Sequence, residues 1–241
     1  LYYDENALPK EARSQALDKQ INIPEFEDID EIIEHFPSPY DKAAFPKNIP
    51  EPDGRYRLFS WWYCFFERHW SLRGMENALT DFYLYPDEVH KLYRALTDFY
   101  KGYIERAAQN GADGIFTSDD IGTQTGPFFS VEIFREFFKP YYKELIECAH
   151  SHNMHFWLHT CGNILDFMDD FAEIGLDVIH PIQKYTMDEK EAAKKIDGRI
   201  CIWAGFDVQQ TIPYKTADDV KKEVRFMMDT YFRDNGKFMI T

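Results

Sequence analysis

A chain of 241 residues, 44% of them hydrophobic, is long enough to bury one large core and allows one or two domains. Its formal net charge of −15 repels phosphate backbones and anionic membrane surfaces, so nucleic acid and membrane are excluded as expected partners, while an anionic small substrate is not. Cys64, Cys148, Cys161 and Cys201 are scattered and form no disulfide framework, no apolar run reaches membrane-spanning length, and the start is neither Met nor a signal peptide; a cytoplasmic setting and a fragment of a longer chain are the expectation.

The first segment, residues 1–55, reads as helical and proline-rich. "PKEARSQALDKQ" and "FEDIDEIIEHF" are predicted short helices, the second with Ile29, Ile32, Ile33 and Phe36 at helical spacing. Five prolines between Pro37 and Pro52 then enforce an extended connection. From residue 56 to 241 the pattern is regular. "RYRLFSWWY" is a strand. "PDEVHKLYRALTDFYKGYIERAAQNG" is a helix that opens on Pro86, closes on Gly111 and turns Val89, Leu92, Leu96, Phe99, Tyr103 and Ala107 to one face. "DGIFTS" is a strand. A glycine-bearing loop follows, and Ser130 caps a helix that Pro140 must kink or divide. "MHFWLHT", "DVIHPI", "RICIWAG" and "KFMIT" are strands. The helices "NILDFMDDFAEIG", "MDEKEAAKKI" and "TADDVKKEVRFMMDTYFRDNG" alternate with them, the last between Thr216 and Gly236.

Alternation of this kind predicts a parallel α/β sheet with right-handed crossovers. Short apolar strands with polar C-terminal ends fit a (β/α)8 TIM-like barrel, incomplete here because only six strands are visible; a doubly wound open sheet is the alternative, although no G-x-G-x-x-G follows any strand.

In a barrel the chemistry sits at the strand ends. His159 and Cys161 are two apart on a strand, so they share a face and offer a nitrogen and a thiolate to one ion; equally, they are a buried strand end with a small apolar cysteine. Asp119 and Asp120 can orient a substrate, act as acid or base or bind metal, or they serve as turn residues. Asp207, after Gly205, points into the mouth or caps the next turn. His180 and Gln183 are substrate-binding candidates, with a structural histidine before proline as the plainer reading. Trp61 and Trp62 read as core, with one ring as a pocket wall. Cys148 and Cys201 read as core.

Three stretches, "GADGIFTSDDIGTQTGPFFSVEIFREFFKPYYKELIECAH", "HTCGNILDFMDDFAEIGLDVIHPIQ" and "GRICIWAGFDVQQTI", resemble in order and spacing the uroporphyrinogen decarboxylase superfamily. The resemblance implies a (β/α)8 barrel and one of two chemistries. The first is methyl transfer between a corrinoid, carried by a partner protein, and a thiol or other small substrate. In that branch zinc is held by a His-x-Cys pair, matched by His159 and Cys161, and by a later cysteine whose position lies beyond Thr241. The second is cofactor-free decarboxylation of uroporphyrinogen, for which Arg55, Arg57, Arg68 and Arg73 would have to face the substrate carboxylates, although the branch's R-Q-A-G-R segment has no counterpart here. A barrel that binds a small ligand without turnover is a third reading, and a homodimer is compatible with any of them.

Overall fold

The computed structural model describes Phe26, residues 29–234 and residues 236–241. The expected helix at "PKEARSQALDKQ" lies outside the described residues. The second expected helix is α1 (Ile29–Glu34), which buries Ile29 and ties Asp30 to Lys91 at 2.6 Å. One 3-10 turn, Lys42–Ala44, interrupts the proline-rich connection to β1 (Leu58–Trp61).

Two helices that the sequence reading did not anticipate follow, α2 (Phe66–Arg73) and α3 (Met75–Leu84), separated by Gly74 at φ 81°. Their buried sides carry polar residues. Arg73 donates to both oxygens of Asp81 at 2.8 Å, and His69 Nε2 lies 3.0 Å from Asp81. All three side chains are almost fully buried. A buried carboxylate is tolerated when its lone pairs are met by donors, and here Arg73 supplies the compensating charge while burial keeps His69 neutral.

The long α4 (Pro86–Gln109) has Pro86 in its first turn, where a missing N–H costs nothing, and it buries Val89, Leu92, Leu96, Tyr103 and Ala107 as expected. After β2 (Gly114–Ser118), Ser130 accepts from the Ile133 N–H and starts α5 (Val131–Ile133). Pro140 cannot donate to a carbonyl one turn back, and the chain resolves this by widening. Phe134–Phe138 is π-helical, and α6 (Lys139–Ser151) begins with Pro140 in its first turn. Phe134, Phe137 and Phe138 are all buried by the wide turn.

The rest alternates as read: β3 (His155–His159), α7 (Met168–Glu173), β4 (Val178–His180), α8 (Glu189–Ile196), β5 (Cys201–Ala204), the short α9 (Thr211–Tyr214), α10 (Ala217–Tyr231) and β6 (Phe238–Ile240). Thr216 and Asp219 form a reciprocal capping box at the start of α10, which satisfies two of its free N–H groups.

The six strands pair in sequence order, β1-β2-β3-β4-β5-β6, and every pairing is parallel. The sheet is an arc of a (β/α) barrel that does not close. One face, with Ile115, Thr117, Phe156, Leu158, Ile202 and Ala204, is buried. The other is half-buried and aromatic: Trp157 meets Trp203 at 5.6 Å, Phe116 meets Trp203 at 5.8 Å, and Trp62 meets Phe116 at 6.0 Å between ring centres. Cys201 is set in register with Val178 and is half-buried rather than core. Cys148 on α6 is likewise only half-buried.

Candidate metal centre and cavity

Strand register sets the first level of the site. Ser118 of β2, His159 of β3 and His180 of β4 are successive neighbours across the sheet. The next residues up the barrel are Asp119 and Asp120 after β2, and Thr160 and Cys161 after β3.

Adjacent residues on an extended backbone point opposite ways, and Asp119 and Asp120 part accordingly. Asp119 is completely buried. Its oxygens accept from the N–H groups of Phe65, Phe66 and Glu67 at 2.7–3.1 Å and from the Tyr142 hydroxyl. It therefore occupies the start of α2, where unpaired N–H groups and the positive end of the helix favour a carboxylate. Burial pushes its pKa up to about 6 against the pull of those donors.

Asp120 remains partly exposed, and its Oδ1 accepts from the Cys161 N–H at 2.7 Å and lies 3.6 Å from His159 Nε2. Cys161 Sγ is 3.3 Å from the same nitrogen. One ligand atom from each of Asp120, His159 and Cys161 lies within 4.8 Å of the other two, so the three side chains can hold a metal ion together. An oxygen, an imidazole nitrogen and a sulfur make a donor set that zinc accepts. Burial, then Asp120 and Glu67, push the free Cys161 thiol up to about 12, and burial lowers the pKa of His159.

Two glycines bring the loops together. Gly162 has φ 85°, and a Cβ there would overlap the Gly122 carbonyl; a Cβ on Gly122 would sit 2.7 Å from the Asn163 nitrogen. The β2 and β3 loops thus meet backbone to backbone, joined by the Asn163 N–H to the Thr123 carbonyl at 2.7 Å. The Gly162 N–H donates to Gln183 Oε1 at 2.7 Å, which adds the β4 loop to the same knot.

A cavity of about 570 Å³ opens beside the three donors. His159, Cys161, His180, Gln183 and Asp207 line it, with Ile182 and Phe206 among its apolar walls. His180 is pushed down to about 4 by burial and by the neighbouring His159, so it is neutral at ordinary pH. Asp207 lines the cavity with its oxygens already engaged. They accept from the N–H groups of Gln209, Gln210 and Thr211 and from the hydroxyls of Thr211 and Tyr185. Although burial pulls upward, Tyr185 and the three N–H groups hold its pKa down to about 2. Lys184 is paired with Glu189 at 2.7 Å.

Trp61 is core, stacked on Tyr100 at 4.6 Å, and Trp62 lies with its ring 5.4 Å from that of His159. The group that sequence reasoning missed is Glu67. It is 5% exposed, accepts from Ser118 Oγ at 2.6 Å, and is pushed up to about 8 by burial and by Asp119. Its helix carried no recognised pattern, so nothing in the sequence flagged it.

Among curated proteins nothing matches this chain. Among solved structures, a methyltransferase from Methanosarcina mazei is similar at a TM-score of 0.57 and 18% identity, over 71% of this chain and 48% of that one. Morphinone reductase is similar at a TM-score of only 0.38 and 13% identity, over 61% of this chain and 45% of that one. The chain thus spans about half the length of the methyltransferase, and a likeness at that identity speaks for the barrel fold alone. The sequence model of the uroporphyrinogen decarboxylase (URO-D) family matches residues 70–240, well over half of the chain, and the chain belongs to that family.

Proposed function

We propose that this chain is the site-bearing part of a zinc-dependent enzyme that moves a methyl group between a corrinoid, carried by a partner protein, and a thiol or other small substrate. The observation that carries the proposal is the convergence of Asp120, His159 and Cys161 from two loops at the C-terminal edge of the sheet. The donor set fits zinc, with Asp120 as the third ligand that the His-x-Cys pair lacked. Zinc held there supplies Lewis acidity that keeps a bound thiol in its nucleophilic thiolate form at neutral pH.

The chain's own residues have separable roles in this reading. His159 supplies a nitrogen, Cys161 a thiolate and Asp120 an oxygen, and Asp120 also fixes the Cys161 backbone. Gln183 anchors its carbonyl on Gly162 and turns its amide N–H groups to a substrate in the cavity, with His180 beside it. Ile182 and Phe206 keep water from the reacting groups. Asp207 shapes the mouth by fixing the start of α9, Trp62 walls the site, and Asp119 holds α2 in place. Among the described residues no helix is long and apolar enough to cross a membrane; the reading itself sets the small-molecule substrate and the protein partner in the cytoplasm. A second copy of the chain is compatible with the same site.

Decarboxylation of a tetrapyrrole needs free cations, and two of the four candidate arginines are engaged elsewhere. Arg73 is buried on Asp81, and Arg57 donates to the carbonyls of Pro50, Asn110 and Gly111. Zinc per chain, measured on purified wild type and on His159→Ala, tests the proposal. About one zinc in the wild type, lost in the variant, is expected. A folded wild type without zinc removes the methyltransferase mechanism and leaves a binding barrel or a decarboxylase.

A further inference from the structure

Metal sites are made by the groups behind the ligands as much as by the ligands. His159 and His180 are register partners on β3 and β4, and their Nδ1 atoms are 2.7 Å apart. Their rings lie 4.9 Å apart at 37°. Trp203 covers His180 at 4.5 Å and Trp62 covers His159 at 5.4 Å, so the pair is held between indole rings. A neutral imidazole carries one N–H, and two nitrogens at this distance share one proton. One Nδ1 donates and the other accepts.

The direction of that bond decides what His159 can do. Its Nε2 faces Cys161 Sγ at 3.3 Å and Asp120 Oδ1 at 3.6 Å. A lone pair is available there only if the His159 proton is on Nδ1, and then Nδ1–H must donate to His180. We infer that His180 is a positioning residue for the metal site: its Nδ1 accepts the His159 Nδ1–H, fixes that ring's rotation, and leaves the His159 Nε2 lone pair aimed at the ion. His180 then carries its own proton on Nε2. The inference rests on the zinc reading above and adds to it a residue that never touches the ion.

The test compares His180→Phe with His180→Asn. Phenylalanine keeps a ring between the tryptophans but has no acceptor. Asparagine can place its side-chain oxygen where Nδ1 was. Zinc affinity is measured by competition with a chromophoric chelator, with folding followed by circular dichroism. The expected result is a loss of about 10–100-fold in affinity for the Phe variant, with the Asn variant restored to within a few-fold of wild type. A Phe variant that holds zinc as tightly as wild type overturns the inference, as does a folded Asn variant that falls as far as Phe. Should the Phe variant not fold, long-range 1H–15N spectra of zinc-loaded wild type decide. His180 bare at Nδ1 and protonated at Nε2, with His159 protonated at Nδ1, supports the role, and any other state of the His180 nitrogens removes it. A wild type that binds no zinc sinks the functional reading and this inference together, whereas equal binding in wild type and the Phe variant sinks only this one.

Discussion

Gly122 and Gly162 press backbone against backbone, and the Asp120–Cys161 hydrogen bond sits directly beside that contact. Gly162→Ala must overcome both a positive φ and the overlap with Gly122, and neither neighbour is a side chain that can swing away. The expected cost is about 2 kcal/mol or more, read as a lower urea midpoint. Zinc content should fall with it, because the loops that carry Asp120 and Cys161 part.

Asp119 and Asp120 should separate cleanly on substitution. Asp119→Ala leaves three buried N–H groups and the Tyr142 hydroxyl without their acceptor, and a loss of about 3 kcal/mol or more is expected in denaturant unfolding. Asp120→Ala removes a partly exposed side chain, so stability should change by about 1 kcal/mol or less while zinc affinity drops. Equal stability losses in the two variants would contradict the division of labour.

Glu67 makes a pH prediction. Its folded pKa is raised from 4.5 to about 8, so the folded chain binds a proton that the unfolded chain has released between those values. Stability contributed by this group is therefore full below pH 4.5 and declines as pH rises towards about 8. Glu67→Gln should flatten that decline and gain on wild type by about 2 kcal/mol at the alkaline end, measured as the difference in unfolding free energy between pH 5 and pH 8. The shift of Asp119 has the same sign, and because its charge also raises Glu67 the comparison reads Glu67 together with its coupling to Asp119.

Asp207→Ala should release the start of α9, at a cost of about 1–2 kcal/mol by thermal unfolding. Tyr185→Phe removes one of five donors to the same carboxylate, and a change of about 1 kcal/mol or less is expected.

The alternation of strands and helices was legible because each buried strand is a short apolar run and each helix carries local punctuation such as Pro86, Ser130 and Thr216. The pair α2–α3 was not. His69, Arg73 and Asp81 occupy its buried side, so the periodicity of apolar residues that marks an amphipathic helix is absent, and the pairing that permits burial is tertiary. At the site, His159 and Cys161 could be put on one face by spacing alone. That Asp120 joins them, while Asp119 turns inward, depends on which of two adjacent carboxylates meets the start of α2, a helix the sequence did not announce. Gln183 was named as a substrate group, but its bond to the Gly162 N–H belongs to a loop contact that no local rule predicts.

The π-helical turn at Phe134–Phe138 has a consequence for Asp119. An ordinary α-helix advances about 100° per residue, and a π turn accommodates one residue more than an α turn. Tyr142 lies just beyond it, and its buried hydroxyl donates to Asp119. Removing the extra residue would close the wide turn to an α turn and leave Tyr142 in register, whereas deleting Tyr141 from the regular helix that follows would rotate everything after it by about 100° and carry Tyr142 off its partner. The register of α6 after the wide turn is therefore as much a determinant of the site as any side chain: deletion of Tyr141 should do the damage of a point mutation at Asp119, while every site residue stays intact.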